Sequence, residues 1–136
     1  MRTMTRRNSL IWLSVAALSG CTAIEEKKRS NLLADRVRAY GKAIRWGDFD
    51  IATRFLKRRG DAPVQVDGSA ISGVRVTHND YNIEAVGPEA TEARMTATFD
   101  YQRPSSATIR QYKQTAQWWY DAELENWFLD DDLPKF

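Results

Sequence analysis

Residues 91–102 read TEARMTATFDYQ. Ala93, Met95, Ala97, Phe99 and Tyr101 alternate with Arg94, Thr96, Thr98, Asp100 and Gln102. A period of two sends one set to each face of a pleated strand. One set is apolar and the other polar, so one face is buried and the other meets water. Antiparallel sheets carry this pattern, whereas strands of parallel sheets read as continuous apolar runs.

Working outward, Pro104-Ser105-Ser106 turns the chain. In residues 107–120, Tyr112, Ala116, Trp118 and Tyr120 share one parity, and Trp119 falls on the other beside Thr115 and Gln117. A turn over Glu123–Asn126 leads to a last strand from Trp127 to Leu129. Upstream of the opening stretch, Gly87-Pro88 is a turn. Tyr81, Ile83 and Ala85 share a parity opposite to that of Val74 and Val76, so a bulge or bend is predicted around His78-Asn79-Asp80. Val64 and Val66 read as a further strand, closed by a turn at Asp67-Gly68.

Residues 28–46 have helical spacing. Leu33, Val37, Tyr40 and Ile44 fall at i, i+4, i+7 and i+11, with Ala39, Ala43 and Trp46 widening the stripe. Gly47 suits the left-handed position beyond a helix end. Asp48 suits the cap of a second helix, predicted to run to about Arg59 with Ile51, Ala52, Phe55 and Leu56 inward. Gly60, Asp61 and Pro63 close it. The fold class is therefore α+β: two N-terminal helices packed on a curved antiparallel sheet of about four to five strands.

The first twenty residues belong to another category. Arg2, Arg6 and Arg7 precede an apolar run over Leu10–Leu18, then the small Ser19 and Gly20. A basic start, a short apolar middle and a small-residue end describe a secretory signal. The run is about half of the roughly 20 residues that span a bilayer. Leu18-Ser19-Gly20-Cys21 resembles the lipobox of bacterial lipoproteins. The resemblance implies cleavage before Cys21, a thioether-linked diacylglycerol on its sulfur, and an acyl chain such as palmitate on the new amino terminus. Two or more chains anchor firmly where one does not. The organisation is then a signal peptide over 1–20, a lipidated tether over 21–30 and one domain over 31–136. Lipidation of Cys21 uses the only cysteine, so the processed chain has no disulfide. Thr22 follows the cysteine where inner-membrane lipoproteins of enterobacteria often carry Asp. In a Gram-negative cell this implies an outer-membrane lipoprotein facing the periplasm.

Cleavage removes three of the 20 basic residues and none of the 18 acidic ones, turning a net charge of +2 into −1. With no net basic surface, a nucleic-acid partner is excluded. From Cys21 to Arg59 there are 11 basic and 5 acidic residues, and from Gly60 on 6 and 13, so the basic half suits either anionic lipid headgroups or, as the preferred reading, a solvated helical face.

The segments YGKAIRWGDFDIATRFL (40–56) and QWWYDAELENWFL (117–129) resemble the nuclear-transport-factor-two-like superfamily, also called cystatin-like cone folds. The chain is similar to small Gram-negative lipoproteins of that fold. The resemblance implies a sheet curved into a cone, an interior pocket in some members, and dimerisation through the sheet. The family's enzymes add a third helix and an acid–base set inside the cone. Gly60–Ala70 leaves little room for that helix, and no residues match the set.

The sequence offers few catalytic groups. His78 is the only histidine and sits beside Asp80, a pair suited to general-base work or to a turn. Asp130, Asp131 and Asp132 have metal-binding chemistry, but adjacent residues of an extended segment point in alternating directions, so the reading is a solvated acidic end. No phosphate loop or nucleophile elbow occurs. The expected function is a non-enzymatic interaction module of the envelope, binding a protein partner or a second copy. Its possible interface is Trp119 with Phe128. The alternative is a small apolar ligand, or a reaction, inside the cone against Tyr101, Tyr112 and Trp118. Neither reading requires a cofactor or a metal beyond the lipid on Cys21.

Overall fold

The computed structural model describes residues 18–60, 62–85, 87 and 89–136, with backbone only for 18–21. Most of the signal segment, Asp61 and Pro88 lie outside the described residues. Helix α1 (Leu18–Arg45) packs on a four-stranded antiparallel sheet of β1 (Arg75–Ala85), β2 (Glu92–Gln102), β3 (Arg110–Asp121) and β4 (Asn126–Asp130), in the order β1-β2-β3-β4. Between helix and sheet lie α2 (Phe49–Thr53) and α3 (Gly68–Ile71). The fold is α+β with an open sheet.

The predicted faces of the main elements are observed. Leu33, Val37, Tyr40, Ala43 and Ile44 of α1 are buried, as are all five alternating residues of β2. The β1–β2 register slips between Val76 and His78, so Thr77 is the bulged residue, at the start of the expected region. Beyond it Asn79, Tyr81 and Ile83 take the helix-facing parity: the Asn79 amide donates to the Gly41 carbonyl (2.8 Å). The end of α1 is a Schellman closure. Gly47 has φ +75°, its N–H donates to Ile44 O, and Asp48 N–H donates to Ala43 O (2.8 Å).

Several expectations need correction. Helix α1 is already present at Leu18 instead of starting at residue 28, so the segment expected as the tether, 21–30, is helical. Trp46 and Ala39 are exposed, because the helix rotates about 100° per residue and both fall outside the buried stripe. The second helix stops at Thr53 instead of Arg59. Phe55 O and Lys57 N–H are bonded instead to Leu129 N–H and O (2.8 and 3.1 Å), so this segment lines the edge of β4. That exchange buries Phe55 and Leu56 and leaves Ile51 exposed. Asp48 occupies the cap position of α2 without a side-chain cap bond. Residues 64–66 form no strand, and α3 stands where Asp67-Gly68 was read as a turn. Asp67 Oδ1 caps that helix, accepting from Ser69 N–H (3.0 Å) and Ala70 N–H (3.3 Å).

The C-terminal segment is part of the core. Leu133, Pro134 and Phe136 are buried. The Phe136 ring meets Tyr101 (5.0 Å between centroids), Tyr112 (5.5 Å), Phe99 (5.9 Å) and Phe49 (6.1 Å). Arg103 Nη2 donates to the Phe136 carbonyl (2.8 Å) and fixes the end of the tail.

Candidate interaction surface

Of the residues expected to line a pocket, Tyr101 and Tyr112 sit at one end of the sheet interior, Trp118 lies six residues further along β3, and other side chains pack against each. Tyr101 and Tyr112 close on Phe136, and Trp118 meets Tyr40 edge-on at 6.0 Å. Behind them runs a polar relay. Tyr40 Oη donates to Gln114 Oε1 (3.0 Å), and Gln114 Nε2 donates to Asp131 Oδ2 (3.1 Å). Burial drives the Tyr40 hydroxyl far above its ordinary range, so it stays protonated and donates. Each polar atom of the buried Gln114 amide thus has a partner, as a low-dielectric site requires.

The three C-terminal acids are neither a free solvated end nor a metal cage. Arg58 pairs with Asp132 (2.8 Å) and reaches Asp130 (3.7 Å) and Asp131 (4.0 Å). Burial pushes the Asp132 carboxyl up, but Gln65 N–H and the Arg58 guanidinium outweigh it and hold the group below the usual carboxylate range. No grouping of potential metal ligands occurs among the described residues. His78 and Asp80 are exposed on β1, and the Asp80 carboxylate accepts from Tyr81 N–H (2.9 Å).

Trp119 faces away from α1, as its parity requires, and lies across the strands from Phe128 with centroids 6.2 Å apart. Its indole N–H donates to Lys57 O (2.8 Å). Lys57 Nζ lies 5.4 Å from both rings and Arg59 5.7 Å from Trp119, while Lys57 also pairs with Asp121 and Arg59 with Glu92 (2.5 Å). The segment beyond α2 therefore covers the aromatic pair with cations. Trp119 and Phe128, the expected interface pair, thus have local partners in the Lys57 segment. Arg36, which drew no attention in the sequence, stacks over Phe55 (4.3 Å), donates to Trp127 O (3.0 Å), and leaves Nη2 buried without a hydrogen bond.

The two sheet edges differ. On β4, Trp127 N–H is taken by Asn126 Oδ1, Trp127 O by Arg36, and both backbone groups of Leu129 by the Phe55–Lys57 segment. No strand pairs with the outer edge of β1 among the described residues. Tyr81 N–H bonds to the side-chain oxygen of its preceding residue, the Asp80 carboxylate, as Trp127 N–H on β4 bonds to the Asn126 amide oxygen, which marks it as an edge donor. Ile83 has the same alternation. Beside this edge runs a groove of about 300 Å³ between α1 and β1, lined by Leu33, Ala34, Val37, Tyr81, Ile83 and Ala85 with Ser30 and Arg38 at its rim.

Comparison of the chain with protein-family models, with curated proteins and with solved structures finds no match in any of the three. Cys21 lies in the backbone of α1, and its side chain lies outside the description. Among the described residues no helix is long and apolar enough to cross a membrane.

Proposed function

We propose that this chain is a lipid-anchored envelope protein, attached through Cys21 and facing the periplasm. It acts without catalysis, as a docking module for another protein. The finer fold reading belongs to the same proposal: a cone-like domain of the nuclear-transport-factor-two-like kind, with the bulge at Thr77 bending β1 around α1.

The observation that carries the reading is the contrast between the two edges. A sheet edge with an adjacent apolar groove suits an extended peptide. Backbone bonds to β1 supply affinity, and alternate apolar side chains enter the groove beside Tyr81 and Ile83. The interior supports the same choice, since Phe136 occupies the space against Tyr101 and Tyr112 that a small ligand would need.

The test is site-specific photocrosslinking in intact cells, with a benzophenone side chain at Ile83 and, as control, at Thr115 in the middle of β3 on its exposed face. A discrete adduct from position 83 alone, abolished by Tyr81→Pro, is the expected outcome. Adducts of equal yield from both positions, or none from 83, would refute edge docking. An adduct of twice the protein's own mass identifies the partner as a second copy.

A further inference from the structure

The outward face of α1 lies opposite the stripe formed by Leu33, Val37, Tyr40 and Ile44. Ile24 stands at one end of it and Trp46 at the other, 58 % and 66 % exposed. They are 22 positions apart, about six turns and roughly 33 Å, and Trp46, one residue past the helix end, borders a hollow beside Val74, Arg75 and Val76. Between them Lys28, Arg38 and Lys42 are exposed on that side, with Lys27 and Arg45 at its margin. The one acid there, Asp35, is paired with Arg38 at 3.0 Å. Arg45 stacks over the Trp46 ring at 4.8 Å while its Nη1 donates to Val76 O (2.7 Å), which holds one positive charge beside the exposed indole. From Trp46 onward the described chain is rich in acids, so the positive field is concentrated on this helix.

We infer that this face lies flat on an anionic bilayer. A lipid surface is the occupant that matches all three features. Its negative potential attracts lysine and arginine within a Debye length. Tryptophan favours the headgroup level, where an apolar ring with a polar N–H is at home. The face is long, roughly 33 Å between Ile24 and Trp46, as an extended surface suits. The inference rests on the lipid-anchor reading in one respect: Cys21 is within one turn of Ile24, so a lipid on its sulfur delivers this end of the helix to the membrane. The anchor then holds one end, and the basic face with Trp46 brings the other down. The domain lies along the bilayer instead of standing on a tether.

The test uses the chain from Thr22 onward, which retains the whole described core, Leu33 to Phe136, and carries no lipid. Its binding is measured by flotation with vesicles of phosphatidylglycerol and phosphatidylcholine mixed equally, and with pure phosphatidylcholine. We expect binding to the anionic vesicles that falls with salt, and little to the neutral ones. Lys28→Glu with Lys42→Glu should weaken it by about tenfold or more. Trp46→Ala should weaken it severalfold, and Lys113→Glu on the exposed sheet face should leave it unchanged. Circular dichroism checks that each variant is folded. Equal binding to both vesicle types, or insensitivity to the double charge reversal, would overturn the inference. So would a soluble polyanion that binds as tightly as the vesicles with no dependence on Trp46. Labelling of cells with radioactive palmitate, with Cys21→Ser as control, tests the anchor separately, so either reading can fail while the other stands.

Discussion

Replacing Phe136 by alanine tests the most consequential packing feature of this domain. The ring is 2 % exposed and lies within 6.1 Å of four other aromatic rings contributed by α2, β2 and β3. Truncating a buried phenylalanine costs about 3–5 kcal/mol, from lost transfer energy and from the cavity left behind. In a domain of this size that is a fall in Tm on the order of 10–25 °C. Urea denaturation of the chain from Thr22 onward is the assay, with the m-value checked to be unchanged. Lys135→Ala, one residue away and exposed, serves as the comparison and should change stability by less than about 0.5 kcal/mol. The vacated site, bounded by Tyr101 and Tyr112, should also take up a small apolar probe such as benzene. A loss below about 1 kcal/mol for Phe136→Ala would refute the reasoning. It would mean that the tail is not part of the core, and that the space between Tyr101 and Tyr112 is open in solution.

Three further predictions follow from the same geometry. Gln114→Leu should cost about 1–3 kcal/mol by leaving Tyr40 Oη and Asp131 without their buried partner, and adding Tyr40→Phe should recover part of it in a double-mutant cycle. The Asp121 carboxyl is lowered by its bond to Lys57, and that of Asp132 by Gln65 N–H and Arg58 against the opposing effect of burial. Both stabilise the fold above the ordinary carboxylate pKa of about 4, and the gain is lost as pH falls through the depressed values. Asp132→Asn should therefore flatten the acid limb of a Tm-versus-pH curve. Gly73→Ala should destabilise more than Gly47→Ala: both residues have positive φ, but a Cβ at Gly73 would lie 2.6 Å from Pro104 Cγ, whereas one at Gly47 meets nothing within 4 Å. Equal losses in thermal melts would contradict this.

What was legible in the sequence was local. The β2 alternation, the α1 stripe, the Gly47 closure and the parity change in β1 each arise from short-range geometry, and each is found near its expected place. What was illegible depends on distant partners. The second helix is cut short because the edge of β4, more than 70 residues away, offers Phe55 and Lys57 backbone bonds that a helix would otherwise supply. LPKF at the C terminus has no period to read, yet its two apolar ends complete the core. Gln114 has a core parity, but its role needs Tyr40 from the helix and Asp131 from beyond β4. The same limit applies to the candidate surface. Trp119 reads as free until the Lys57 segment is placed over it, and the open edge of β1 emerges only from the strand order.

The contacts of α1 with the far end of the chain also bear on how the domain assembles. Trp127 Nε1 donates to Arg29 O across 98 residues, and Arg36 reaches Trp127 O across 91. An isolated helix of this length is weakly stable in water without a surface to pack on. Here the surface is a sheet whose last strand follows the helix residues it bonds by 91 and 98 positions. The sheet is a meander of consecutive strands whose pairings are local, but the docking of α1 against β4 is remote and waits on that last strand. The growing chain would therefore have no complete nucleus until β4 has emerged. For an exported protein of the kind proposed, that delay is useful: a translocation channel passes unfolded polypeptide, and this architecture postpones compaction until the chain can close on itself beyond the membrane.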